Sequence, residues 1–202
     1  MQLPTFILTG LTPLVVGYVP PHDGRRSSRP QRLPVVVPCQ EDTLWCWAAV
    51  ATGIARFYNN YTAEQYIVAS TVLGLQCLPN GGNLNCHQEG ALTDALCAND
   101  NLWSSFSGSG SIAFVARSIA ANRPICVRME DSNKAGHFVV LLGHSADFTQ
   151  VYIDDPSNGS SIKPFDQFVK SYLGIYFWQY TYETKSRHEP PHCKFTREES
   201  QC

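Results

Sequence analysis

The sequence divides into a helix-forming half and a strand-forming half, and this division limits the folds open to it. Residues 46–58 (CWAAVATGIARFY) are alanine-rich, with Val50, Ile54 and Phe57 four and three positions apart. That spacing predicts a buried helix with Cys46 in its first turn. A second helix is predicted over 63–73, capped by Thr62 and stopped by Gly74. Residues 78–85 read as loop, and 90–98 and 111–121 as two shorter helices, the second ending before Asn122-Arg123-Pro124. Strands are predicted over 124–129, 137–144, 151–153 and 174–182. Turn-prone runs separate them, DSNKAG and SADFTQ among them, with another turn at 155–159. Helices first and antiparallel strands second make an α+β fold, with a helical lobe followed by a β lobe. No internal repeat is seen.

A chain of 202 residues, 44% hydrophobic and 16% charged, can bury enough apolar surface to fold alone as one domain or two small lobes around a cleft. The stretch VPPHDGRRSSRPQRLP is suited to an extended arm, so residues 1–34 are read as an arm or propeptide-like segment. The domain is placed at 35–182, and 183–202 is read as a weakly ordered tail. A net charge of −2 gives no electrostatic reason to expect nucleic acid or an anionic membrane as partner. A monomer is the expectation.

Eight cysteines favour an oxidising compartment or secretion. If one is a nucleophile, the odd remainder leaves at least one further free or intermolecular thiol. Cys193 with Cys202 is one expected bridge, and Cys77, Cys86 and Cys97 supply another. The N-terminus has no basic residue before its apolar run and is interrupted by Pro4 and Pro13. It is a poor signal peptide and too broken to span a bilayer. Secretion by another route is therefore expected, with the cytoplasm as the alternative.

A cysteine at a helix start is well placed for catalysis, because unpaired N–H groups and the helix dipole stabilise a thiolate. Position alone does not make Cys46 a nucleophile. Gln40, six residues upstream, adds to the case, since a tetrahedral oxyanion needs two fixed donors that its amide and the Cys46 N–H can supply. The base should be a histidine from a distant part of the chain. His22, His188 and His192 lie in linker-like or tail segments, and His87 in a cysteine-rich loop. His137 opens an apolar strand, whereas His144, seven residues on, points to the opposite face by strand alternation. Asp154 and Asp155 close the following strand, and a carboxylate there can orient the imidazole. Asp155 shares a face with the apolar Val151 and Ile153, and Asp154 shares one with Tyr152, expected at the surface, so Asp155 is the predicted orienter.

With Gln40, Cys46-Trp47-Ala48, His137 and Asp155-Pro156 in this order, the sequence resembles the papain-like cysteine peptidases over residues 35–182. The aspartate followed by proline is most similar to the AvrRpt2-type and bacteriocin-processing (C39-like) groups. The resemblance implies a thiol endopeptidase that needs no cofactor or metal and acts on protein or peptide. AvrRpt2-type proteins are bacterial effectors delivered into plant cells, which implies a secreted effector. Trp47, beside the nucleophile, and Gly136, beside the histidine, are the candidate substrate-binding residues.

Two rival readings stand beside this one. An acyltransferase or glutamine deamidase uses the same triad and thioester. A metal-binding interaction module would be built on Cys77, Cys86, His87 and Cys97, although these lack the close cysteine pairs of usual zinc sites.

Overall fold

The computed structural model describes residues 29–190, so most of the arm and the expected Cys193–Cys202 bond lie outside the described residues. The chain runs β1 (Gln31–Arg32), α1 (Cys46–Phe57), α2 (Gln65–Leu73), α3 (Leu92–Ala98) and β2 (Leu102–Ser107). It continues through α4 (Ile112–Ala120), β3 (Ile125–Glu130), β4 (Gly136–His144), β5 (Gln150–Asp155), β6 (Gly159–Pro164), α5 (Phe165–Ser171) and β7 (Phe177–Thr184). The sheet order is β2-β7-β3-β4-β5-β6, with β1 on β4, and every pairing is antiparallel. The expected α+β division holds.

The four helices predicted from periodicity are present. Ser111 caps α4 by accepting the Phe114 N–H, and Gly74 ends α2 in the left-handed conformation with φ 69°. Helix α2 starts two residues later than predicted, at Gln65, after an extended Glu64. Ten of the twelve α1 residues are buried. Their small side chains let the helix run through the middle of the domain, with Trp45 and Trp47 fully enclosed at its start.

The predicted domain boundaries at 35 and 182 fall inside packed structure. Strand β1 pairs with the end of β4, and the Leu33 N–H donates to the Leu142 carbonyl at 2.7 Å. Leu33, Val35 and Val37 then alternate into the core while Val36 stays 72% exposed. This extended segment crosses α1 at Gly53, where a Cβ would sit 3.0 Å from the Val36 carbonyl oxygen. At the other end β7 continues to Thr184, and the buried Lys185 ammonium is held by Asp100 and the Glu189 carbonyl. A disulfide joins Cys77 to Cys86, and Cys39, Cys46 and Cys126 are free thiols. No helix among the described residues is long and apolar enough to cross a membrane.

Candidate active site

Cys46 is the first residue of α1, so its N–H and those that follow lack intrahelical acceptors and point outward from the helix start. His137 is the second residue of β4 and Asp155 the last of β5. Antiparallel pairing of these strands brings the start of one beside the end of the other. The packing of α1 against β4 then sets Cys46 opposite.

His137 Nε2 lies 2.9 Å from Asp155 Oδ1, and both side chains are buried. That bond occupies one ring nitrogen and leaves Nδ1 for the thiol. Burial by itself lowers the basicity of His137, but the hydrogen bond to Asp155 and the interaction with Cys46 outweigh it and push the imidazole up to about 9. Burial acts the other way on Asp155, and the hydrogen bond from His137 outweighs it, holding the carboxyl at about 2.

Asp155 is further fixed by groups that sequence reasoning missed. Oδ1 accepts the backbone N–H groups of Ser157 and Asn158, and Oδ2 accepts Asn158 Nδ2 at 3.0 Å and the Tyr172 hydroxyl at 2.7 Å. Burial and the adjacent carboxylate raise the Tyr172 hydroxyl, which keeps it a donor. The sequence Asp-Pro-Ser-Asn-Gly carried a signal for part of this, because an aspartate opening such a turn binds backbone two residues on. Nothing in the sequence pointed to Tyr172.

Asp154 does not lie at the surface as expected. It is 5% exposed and accepts the Val37 N–H at 2.8 Å and the Ser160 hydroxyl at 2.9 Å. Alternation does separate it from Asp155, but the extended segment before α1 covers its face at Val37. His144 stands at the far end of β4, about 23 Å along the strand at ~3.3 Å per residue. It stacks on Phe148 and hydrogen-bonds the Ser145 carbonyl, away from the cleft.

Gln40 lines the cleft, with both amide hydrogens engaged. Nε2 donates to the carbonyls of Asp42 at 2.9 Å and Thr43 at 2.8 Å, and Oε1 accepts the Ser157 hydroxyl at 2.6 Å. The Gln40 N–H also binds the Pro156 carbonyl, so this residue ties the loop before Cys46 to the turn after Asp155. A cleft of about 540 Å³ opens over these groups, and Trp47, Gly136 and Tyr176 also line it. Cys77 and Cys86, invoked for a metal site, are consumed by their disulfide, and no cluster of three metal-ligating side chains is present among the described residues.

This fold and sequence define a papain-like cysteine peptidase. The family described as papain-like cysteine protease AvrRpt2 matches residues 27–173, and the chain belongs to that family. No curated protein matches it. Among solved structures it is similar to a double glycine motif protease from an AMS/PCAT transporter in complex with its leader peptide. Identity is 18% over 78% of this chain and 99% of that chain, with a TM-score of 0.45.

Proposed function

We propose that the protein is an endopeptidase working through Cys46, His137 and Asp155, with Gln40 and the Cys46 N–H as oxyanion donors. The observation that carries this reading is the buried His137 imidazole, bonded to Asp155 through Nε2 and interacting with Cys46 at the start of α1. The thiolate attacks the scissile carbonyl, and the imidazolium gives its proton to the departing amine. Water, deprotonated by the neutral imidazole, then hydrolyses the thioester. Asp155 stays ionised throughout and holds the ring tautomer. A developing oxyanion is a stronger acceptor than the Thr43 carbonyl, so one Gln40 N–H switches its hydrogen bond from that carbonyl to the oxyanion as charge accumulates.

The substrate is a protein or peptide, with Trp47 and Gly136 among the residues that line its cleft. Family membership and the Cys77–Cys86 disulfide support a secreted effector. Incubating a peptide library with the wild-type protein and with Cys46→Ala, followed by mass spectrometry, tests the reading. New amino termini found only with wild type are expected. Release of ammonia or amide exchange without new termini would instead identify a deamidase or acyltransferase.

A further inference from the structure

Asp42 is the pivot of the turn between Gln40 and Cys46. Its carbonyl accepts Gln40 Nε2 at 2.9 Å and the Trp45 N–H at 3.0 Å, so one oxygen touches both ends of the turn. Its carboxylate accepts the Leu44 N–H at 2.8 Å through Oδ1. Outside the cleft, His87 Nδ1 lies 2.9 Å from each carboxylate oxygen. The Asp42 side chain is 9% exposed and that of His87 48%. Gly81 makes room for this approach, because a Cβ there would stand 2.9 Å from Asp42 Oδ2.

His87 is itself anchored. It follows Cys86, which is bonded to Cys77 and whose carbonyl accepts Trp45 Nε1 at 2.8 Å in the core. The Asn80 N–H donates to the Glu41 carboxylate at 2.9 Å. The disulfide loop therefore grips the nucleophile segment at three points. Of these, the Asp42–His87 contact alone acts on one of the two residues whose carbonyls hold Gln40.

We infer that Asp42 and His87 are a positioning pair for oxyanion stabilisation, in which His87 fixes the Asp42 carboxylate and thereby the turn that aims the Gln40 amide. The inference rests on the reading of Gln40 as an oxyanion donor. Without His87, the Asp42 carboxylate keeps only the Leu44 N–H and is free to rotate toward water. The Asp42 carbonyl that binds Gln40 alongside that of Thr43 is then less firmly directed, and an oxyanion donor displaced by even an ångström loses much of its effect.

The test uses the full chain and a peptide that wild type cleaves in the library experiment. Iodoacetamide alkylation of Cys46 is measured in parallel, since that reaction forms no oxyanion. His87→Ala should lower kcat about tenfold, the value of about one hydrogen bond, with KM and the alkylation rate unchanged. His87→Asn, which keeps an N–H donor near the Nδ1 position, should restore most of the rate. In a Gln40→Ala background, His87→Ala should add no further loss. Unchanged kcat in His87→Ala beside a slow Gln40→Ala protein would overturn the pair alone. Equal losses of hydrolysis and alkylation would also overturn it, showing general loosening of the site. A Gln40→Ala protein with wild-type kcat would overturn the oxyanion reading of Gln40 and, with it, the route proposed for the pair.

Discussion

Tyr172 donates its hydroxyl to Asp155 Oδ2 at 2.7 Å while His137 occupies Oδ1 at 2.9 Å, so the carboxylate is held from both sides and cannot turn away from the imidazole. The neighbouring Asp154 is also buried but serves the Val37 N–H and β6. Asp155→Ala should therefore lower kcat/KM on the order of 10²-fold or more, and less than Cys46→Ala does. Asp154→Ala strands the buried Val37 N–H, so it should lower the melting temperature with little effect on kcat/KM in the folded protein. Steady-state kinetics and thermal melts on both variants check this, and the reverse ranking of kcat/KM would move the orienting role to Asp154.

The shifted groups set a pH window. His137 rises from 6.5 to about 9, so its contribution to stability is complete below 6.5 and is lost as pH climbs through 9. Asp155 falls from 3.8 to about 2, so its contribution is present above 3.8 and is lost as pH drops through 2. Activity should fall along an alkaline limb near pH 9, where the imidazolium loses the proton it gives to the leaving amine. Asp155→Asn removes the main cause of the rise, and that limb should move toward lower pH. A pH profile of kcat/KM whose alkaline limb is the same in Asp155→Asn would show that the two groups are not coupled in this way.

Gln40→Ala should slow turnover by on the order of 10²-fold, as expected for loss of one oxyanion donor, while circular dichroism stays that of the folded protein. Unchanged kcat would remove Gln40 from the chemistry and leave it as a tie between the nucleophile loop and Ser157.

The extended segment before α1 offers a further check. A chain beginning at Arg29 keeps Leu33, Val35 and Val37 and should melt cooperatively, whereas one beginning at Pro38 lacks all three and should not. A cooperative melt of the shorter chain at the same temperature would show that the segment adds nothing to the core.

Reduction of Cys77–Cys86 releases a loop with sequence separation 9, for which chain entropy predicts a loss of about 2–3 kcal/mol. Thermal melts with and without a dithiol reductant, compared with Cys77→Ser/Cys86→Ser, measure this. An unchanged melting temperature in the double variant would contradict it.

The proposed nucleophile, base and orienter were legible as candidates because each is a distinctive residue type at the end of an element that periodicity identifies. Cys46 opens an alanine-rich helix, His137 opens an apolar strand, and Asp155 closes one. What was missed depends on approach in space. Tyr172 reaches Asp155 from the end of α5, and His87 reaches Asp42 across 45 residues, with no local pattern announcing either contact. For Asp154 the strand alternation separates it from Asp155 as expected, but its face is covered by the extended segment at Val37, whose packing no local pattern announces.

Strands β2 (LWSSFS) and β6 (GSSIKP) were missed for another reason. They lie at the two ends of the sheet, where serine, glycine, lysine and proline are tolerated and β-propensity is weak.

Every role proposed for the site turns on Cys46 being the nucleophile, and Cys39 offers a competing exposed thiol. Treating the protein with an epoxysuccinyl peptide and mapping the adduct by mass spectrometry tests this directly. Labelling of Cys46 that tracks loss of activity, and that slows sharply in His137→Ala, is the predicted result. Inactivation that tracks labelling of Cys39 or Cys126, with Cys46 unmodified, would contradict it.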